Sequence, residues 1–145
     1  MKILMVYLGN ICRSPLAHGI MEHLVKQKGL NWEIDSAGTG SWHIGSQPDR
    51  RSIAVAKANG IDITGQRARQ FSSTDFEAFD LILVMDKQNY RDVIAQAKTA
   101  EQEEKVKLFI PDAFVPDPYY NDEEFAPVFD MVYTRCEKLL QELKH

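Results

Sequence analysis

Two unbroken apolar runs, Ile3-Leu4-Met5-Val6 and Leu81-Ile82-Leu83-Val84-Met85, constrain the fold more than any other feature of the chain. A strand with one wet face alternates apolar with polar residues, whereas a strand covered on both faces has no need to. Two such runs predict a parallel sheet with helices against both sides. Trp32-Glu33-Ile34-Asp35-Ser36-Ala37 alternates and reads as a further strand, and Val106 to Ile110 reads as another, stopped by Pro111, which has no amide to give a ladder.

Helical spacing fills the intervals. Leu16, Ala17, Ile20, Met21, Leu24 and Val25 form one stripe, with Ser14 placed to cap it, Pro15 at its first position and Gly29 to end it. Asp49 caps a segment through Ile53, Val55, Ala56 and Ala58 that stops at Asn59-Gly60. A brief helix spans Thr74 to Ala78, and Asp86 caps one carrying Tyr90, Val93, Ile94 and Ala97 toward the acidic stretch Glu101 to Glu104. The last helix buries Phe125, Val128, Phe129, Val132, Cys136, Leu139, Leu140 and Leu143, while Ile61 to Arg69 has no clear period and reads as loop. Strands alternating with helices, without repeats or a low-complexity linker, over 145 residues predict a single α/β domain spanning 1–145. Its expected architecture is three layers, a four-stranded parallel sheet with helices on both faces, joined by right-handed crossovers.

Composition narrows function by exclusion. Lys plus Arg is 17 and Asp plus Glu is 21, a net charge of −4, so the basic excess of a non-specific nucleic-acid binder is missing. Cys12 and Cys136 stand far apart, with no CxxC and no His/Cys cluster, which speaks against a disulfide framework and a zinc site; no metal and no cofactor are expected. His18, His23, His43 and His145 have no ligand spacing and receive no role. The apolar N-terminus is too short for a signal h-region, and no run nears the ~20 residues of a membrane span, so the expected location is cytoplasmic.

In a parallel α/β sheet, ligands bind beyond the carboxyl ends of the strands, where the winding switches direction. The segment there is Leu8-Gly9-Asn10-Ile11-Cys12-Arg13-Ser14, between the first strand and the first helix. Gly9 and Asn10 let the backbone curl so that amides point inward at a helix start, a geometry that binds anions. Arg13 adds a permanent charge on a planar fork that matches two phosphate oxygens. A Walker A loop needs Gly-Lys-Ser/Thr and a dinucleotide loop needs GxGxxG; neither is present. The ligand implied is a phosphate dianion or its mimic.

Leu8-Gly9-Asn10-Ile11-Cys12-Arg13-Ser14-Pro15, together with Asp117-Pro118-Tyr119-Tyr120, resembles the low-molecular-weight protein tyrosine phosphatases. The resemblance covers essentially the whole chain and takes in Asp35-Ser36-Ala37-Gly38-Thr39, the Trp42 loop, Met85-Asp86 and the final helix, in order. It implies a phosphotyrosine phosphatase I-like fold with flavodoxin-like winding. The implied activity is hydrolysis of phosphotyrosine in a protein or of a small aryl phosphate, with no nucleic-acid or membrane partner. In that family the loop reads Cys-x5-Arg, the thiolate attacking phosphorus and the arginine holding the equatorial oxygens. Here the spacing gives Tyr7-x5-Arg13, so a tyrosine stands at the nucleophile position.

The resemblance further implies that Arg13 and the amides of Leu8 to Ser14 bind phosphate. Asp117 matches the general acid, while Trp42, Tyr119 and Tyr120 match the cleft walls that hold an aromatic ring. Asn10 and Ser14 match residues shaping the cradle. On local grounds alone Asp117 is a turn former, Asp86 a helix cap and Cys136 a core residue. Cys12 matches a companion thiol that pairs reversibly with the family's nucleophile, a partner that Tyr7 removes. A thiol's ordinary pKa of ~8.5 falls at a helix start beside an arginine, but a phenol near ~10 leaves about a thousandth ionised at pH 7. Turnover is therefore expected to be crippled. Two other readings stand beside this one: a pseudophosphatase that binds phosphate or a phosphoprotein without hydrolysis, and an arsenate reductase of the same fold, which needs shuttling cysteines. Retention of Arg13, Ser14 and Asp117 fits both one deliberate change in a working enzyme and recent natural divergence.

Overall fold

The computed structural model describes residues 1–9, 12–40, 43–111, 115–116, 118 and 121–144. Its elements run β1 (Lys2–Tyr7), α1 (Arg13–Gln27), β2 (Glu33–Gly38), α2 (Arg50–Ala58), α3 (Asp75–Ala78), β3 (Leu81–Val84), α4 (Lys87–Ile94), α5 (Ala100–Glu104), β4 (Val106–Leu108) and α6 (Phe125–Leu143), with a 3₁₀ turn Asp122–Glu124 leading into α6. The strands form one parallel sheet in the order β2-β1-β3-β4. Ile3 pairs with Ile34 on one side and Leu81 on the other, and Ile82 pairs with Val106. This is the expected α/β sheet with flavodoxin-like winding.

The pleat explains the unbroken runs. Ile3, Met5, Leu83 and Met85 point to one face, where they meet Leu16 and Ile20 of α1 and Val128, Phe129 and Val132 of α6. Leu4, Val6, Ile82 and Val84 point to the other, against Phe71, Phe76, Phe79 and Val93. All eight strand residues are at most 1% exposed. Full burial of each such side chain is worth ~1.5–3 kcal/mol, so polar substitution on either face of β1 or β3 is excluded.

Local structure departs from the sequence reading in a few places, each with a cause. Helix α1 begins at Arg13, with Cys12 as cap; Ser14 is fully buried in the first turn rather than capping it. Pro15 remains among the first residues, where a missing N–H is harmless. Helix α1 ends as expected: Gly29 has φ +67°, and the Leu30 and Gly29 amides donate back to the Val25 and Lys26 carbonyls, both at 3.1 Å. Helix α4 turns Asn89 and Val93 inward and leaves Tyr90 exposed, because Asn89 and Val93 are the i,i+4 pair facing β3 and β4. The acidic stretch is a separate helix, α5, since the Thr99 side chain caps the Gln102 amide at 3.1 Å and starts it anew. Strand β4 stops at Leu108, short of Ile110. Among the described residues no helix is long and apolar enough to cross a membrane.

Gly19, in the middle of α1, is closely approached by the loop between α2 and α3. A Cβ built there would lie 2.4 Å from Cγ2 of Ile63, a β-branched side chain that is 1% exposed and has little room to turn. Replacing glycine by alanine in a helix ordinarily gains ~1 kcal/mol, while overpacking a core costs ~1–3 kcal/mol. Gly19→Ala should therefore lower the urea midpoint, by an amount equivalent to about 1 kcal/mol. A raised midpoint would show that the loop carrying Ile61 and Ile63 yields.

Candidate active site

The order β2-β1-β3-β4 sends the chain outward from β1 to β2 and then back past β1 to β3. The winding thus reverses at the carboxyl ends of β1 and β3, which opens a crevice there. Three segments meet in it: Tyr7 to Gly9 with Cys12 to Ser14 after β1, Met85-Asp86 after β3, and Val115 after β4.

Strand β2 fixes the first segment. The carbonyls of Tyr7 and Leu8 accept from the Thr39 and Gly40 amides, each at 2.8 Å. Gly38, at the end of β2, is itself held by Arg69 and Phe71 backbone groups at 2.8 and 2.7 Å. The Arg69 side chain spans Asp35 and Asp75 at 3.1 Å each, bracing that end of the sheet from outside. Leu8 is exposed, whereas Cys12, Arg13 and Ser14 are buried.

Arg13 is the junction of all three segments. Its guanidinium carbon lies 3.1 Å from the centre of the Tyr7 ring. Its Nη1 donates to the carbonyl of Val115, and its Nη2 faces Asp86 Oδ2 at 3.5 Å. Asp86 also caps α4, accepting from the Asn89 amide at 2.8 Å, so it is both cap and brace. The Val115 amide donates to the Met85 carbonyl at 3.0 Å, which docks the third segment onto the end of β3. A buried guanidinium is tolerable here because a carbonyl dipole, a carboxylate and an aromatic face all compensate its charge.

The structure thus brings together Tyr7, Cys12, Arg13 and Ser14 at the head of α1, with Leu8 and Gly9 beside them. Asn10, Ile11, Trp42, Asp117, Tyr119 and Tyr120 lie outside the described residues. Pro116 and Pro118 flank position 117, and the Pro118 carbonyl accepts from the Asn121 amide at 3.0 Å. Cys136 is fully buried, and burial pushes its thiol far above the ordinary range, which makes it a core residue and a poor redox shuttle. Among the described residues no group of three or more His, Cys, Asp or Glu could hold a metal ion.

The model of the family described as low molecular weight phosphotyrosine protein phosphatase matches residues 2–145. The low molecular weight protein-tyrosine-phosphatase YfkJ of Bacillus subtilis is 39% identical over 150 residues, covering 99% of this chain and 96% of its own. A crystal structure of a protein tyrosine phosphatase from Entamoeba histolytica superposes with a TM-score of 0.93 at 36% identity, covering 99% of this chain and 97% of that one. Vibrio vulnificus Wzb, solved in complex with benzylphosphonate, superposes with a TM-score of 0.88 at 31% identity, covering 97% of each chain. With a crevice at the switch point and an arginine at its centre, these likenesses place the chain: it belongs to the low molecular weight phosphotyrosine protein phosphatase family.

One functional neighbour of the loop escaped the sequence. His18, given no role above, is buried on α1 with Nδ1 2.9 Å from Ser36 Oγ on β2 and Nε2 3.6 Å from Glu22. It ties α1 to the neighbouring strand β2. Its only sequence signal was the i,i+4 spacing to Glu22. The neighbouring His18 imidazole holds the Glu22 carboxyl below its ordinary value of 4.5, against the opposing effect of burial. A carboxyl depressed in the folded state stabilises above its unfolded pKa and loses that contribution as pH falls through its folded value. Glu22→Gln should accordingly cost ~0.3–0.5 kcal/mol at pH 7, as exposed i,i+4 pairs do, and close to nothing in strong acid. Urea unfolding at pH 7 and near pH 3 reads the difference, and a gap that persists in acid would deny the linkage.

Proposed function

We propose that this chain is a single-domain, cytoplasmic protein-tyrosine-phosphatase scaffold in which Tyr7 stands where the family places its nucleophilic cysteine, leaving hydrolysis of phosphotyrosine crippled. The observation that carries this reading is the stack of Tyr7 against Arg13, 3.1 Å from ring centre to guanidinium carbon. A phenol is a poor nucleophile at neutral pH, and its ring also lies against the group that must hold the phosphate oxygens.

The rest of the machinery supports the substrate class. Arg13 and the amides from Leu8 to Ser14, including those of Gly9, Asn10, Ile11 and Cys12, receive the phosphoryl oxygens. Trp42, Tyr119 and Tyr120 wall a cleft for the aromatic ring, and benzylphosphonate in Vibrio vulnificus Wzb is a ligand of that chemistry. With a cysteine at position 7, the thiolate forms a bond to phosphorus as the ester P–O bond breaks, and Asp117 gives its proton to the departing phenolate. Water then attacks the phosphocysteine, Asp117 takes the water's proton, and phosphate leaves with the thiolate restored.

Tyr7→Cys is expected to hydrolyse p-nitrophenyl phosphate at least ~10³-fold faster than the unaltered chain, within the loss of about 10⁶-fold seen when a nucleophile is deleted and only binding and charge stabilisation remain. Matched assays of the two purified proteins, with circular dichroism to establish folding, decide it. An inert but folded Tyr7→Cys would refute the phosphatase reading, and family-like turnover by the unaltered chain would refute the account of Tyr7. Calorimetry with phosphate and vanadate separates the pseudophosphatase reading, since tight binding without turnover is its signature. The Tyr7–Arg13 stack favours exclusion of both anions.

A further inference from the structure

We propose that Arg51 is a positioning residue for the segment between β4 and α6, which carries Asp117; the inference rests on the role of Asp117 given above. The segment is fastened at its start by Val115, whose amide bonds Met85 and whose carbonyl accepts from Arg13. At its far end it is fastened by Arg51, on the first turn of α2.

Arg51 is built to hold a direction. Its Nε and Nη2 each donate at 2.9 Å to the two oxygens of Asp49, a bidentate pair that fixes the plane of the guanidinium. The guanidinium also lies over the Phe125 ring, 4.6 Å from its centre, so the first residue of α6 supports the same plane. So oriented, Nη1 donates at 2.6 Å to Asp122, in the 3₁₀ turn where the segment ends. The Asp49 carboxyl is held below the ordinary range chiefly by its bond to Arg51.

Asp49 also accepts from the Arg51 amide at 2.8 Å, so the group that caps α2 is the group that aims Arg51. The bridge does not fill the core. Asp49, Arg50, Arg51, Ala54 and Asp122 border an open surface cleft of about 420 Å³. The bridge thus lies at the surface, and the fold should survive replacement of Arg51. What changes is the anchoring of a short stretch whose other end is pinned by Arg13. A purely structural tether would affect all substrates alike, whereas a residue that positions the general acid affects them according to how much their leaving group needs a proton.

The experiment uses Tyr7→Cys as the active parent and adds Arg51→Gln or Arg51→Lys. Arg51→Gln is expected to lower kcat/KM for phenyl phosphate, a poor leaving group, about tenfold more than for p-nitrophenyl phosphate, a good one. Inhibition by inorganic phosphate should stay within about twofold, and Arg51→Lys should recover part of the loss. Hydrogen exchange in peptides spanning 115–124 should quicken in Arg51→Gln, in the unaltered background as well as in the active one. An equal loss on both esters, or unchanged exchange, overturns the proposal while leaving the phosphatase reading intact. A folded but inert parent overturns the phosphatase reading and the catalytic part of this one together.

Discussion

Everything at the site depends on β1 lying inside the sheet with both faces covered. Because it pairs with β2 and β3 at once, its register has no freedom: a slip of one residue would exchange Ile3 and Met5 for Leu4 and Val6 between two differently shaped cores. The strand therefore delivers position 7 to a fixed point at the crevice, on the face shared by α1 and α6. The next two carbonyls are held by Thr39 and Gly40, so the loop leaves the sheet along a path set by β2. Whatever side chain occupies position 7 is presented to Arg13.

That geometry explains why a tyrosine there differs from a smaller inert residue. A serine or alanine would remove the nucleophile and leave the cradle open. Tyr7 instead supplies an aromatic face to a buried cation, and that contact is worth ~2 kcal/mol or more when desolvated. On the reading proposed above, the same residue would act on chemistry through its phenol and on binding through its ring, two separable effects.

Much of the fold was legible because burial on two faces leaves a strong mark. The runs at Ile3–Val6 and Leu81–Met85 gave the parallel sheet, and Asp49, Asp86, Gly29 and Asn59-Gly60 marked helix ends by chemistry that acts locally. The start of α1 was misplaced because Ser14 satisfies a local rule yet is drawn inside by the fold. Tyr90 and Asn89 exchanged places for a related reason: hydrophobicity argued for the tyrosine, but the helix face is chosen by the i,i+4 partner Val93. At the site, Arg13 stood out from its place in the loop after the first strand, and Tyr7 only once the resemblance supplied the pattern to set it against. The carbonyl of Val115, the brace at His18 and the clamp at Arg51 did not, since each joins residues far apart in sequence through groups that carry no motif.

The groups around Arg13 show how a buried guanidinium is accommodated where the strands end. Here Asp86 supplies charge, Val115 a dipole and Tyr7 a π-face, drawn from the ends of three different strands. The arginine thereby stitches those ends together. Replacing the ring by a small thiol would remove one of these partners and leave the carbonyl of Val115 and the carboxylate of Asp86 in place.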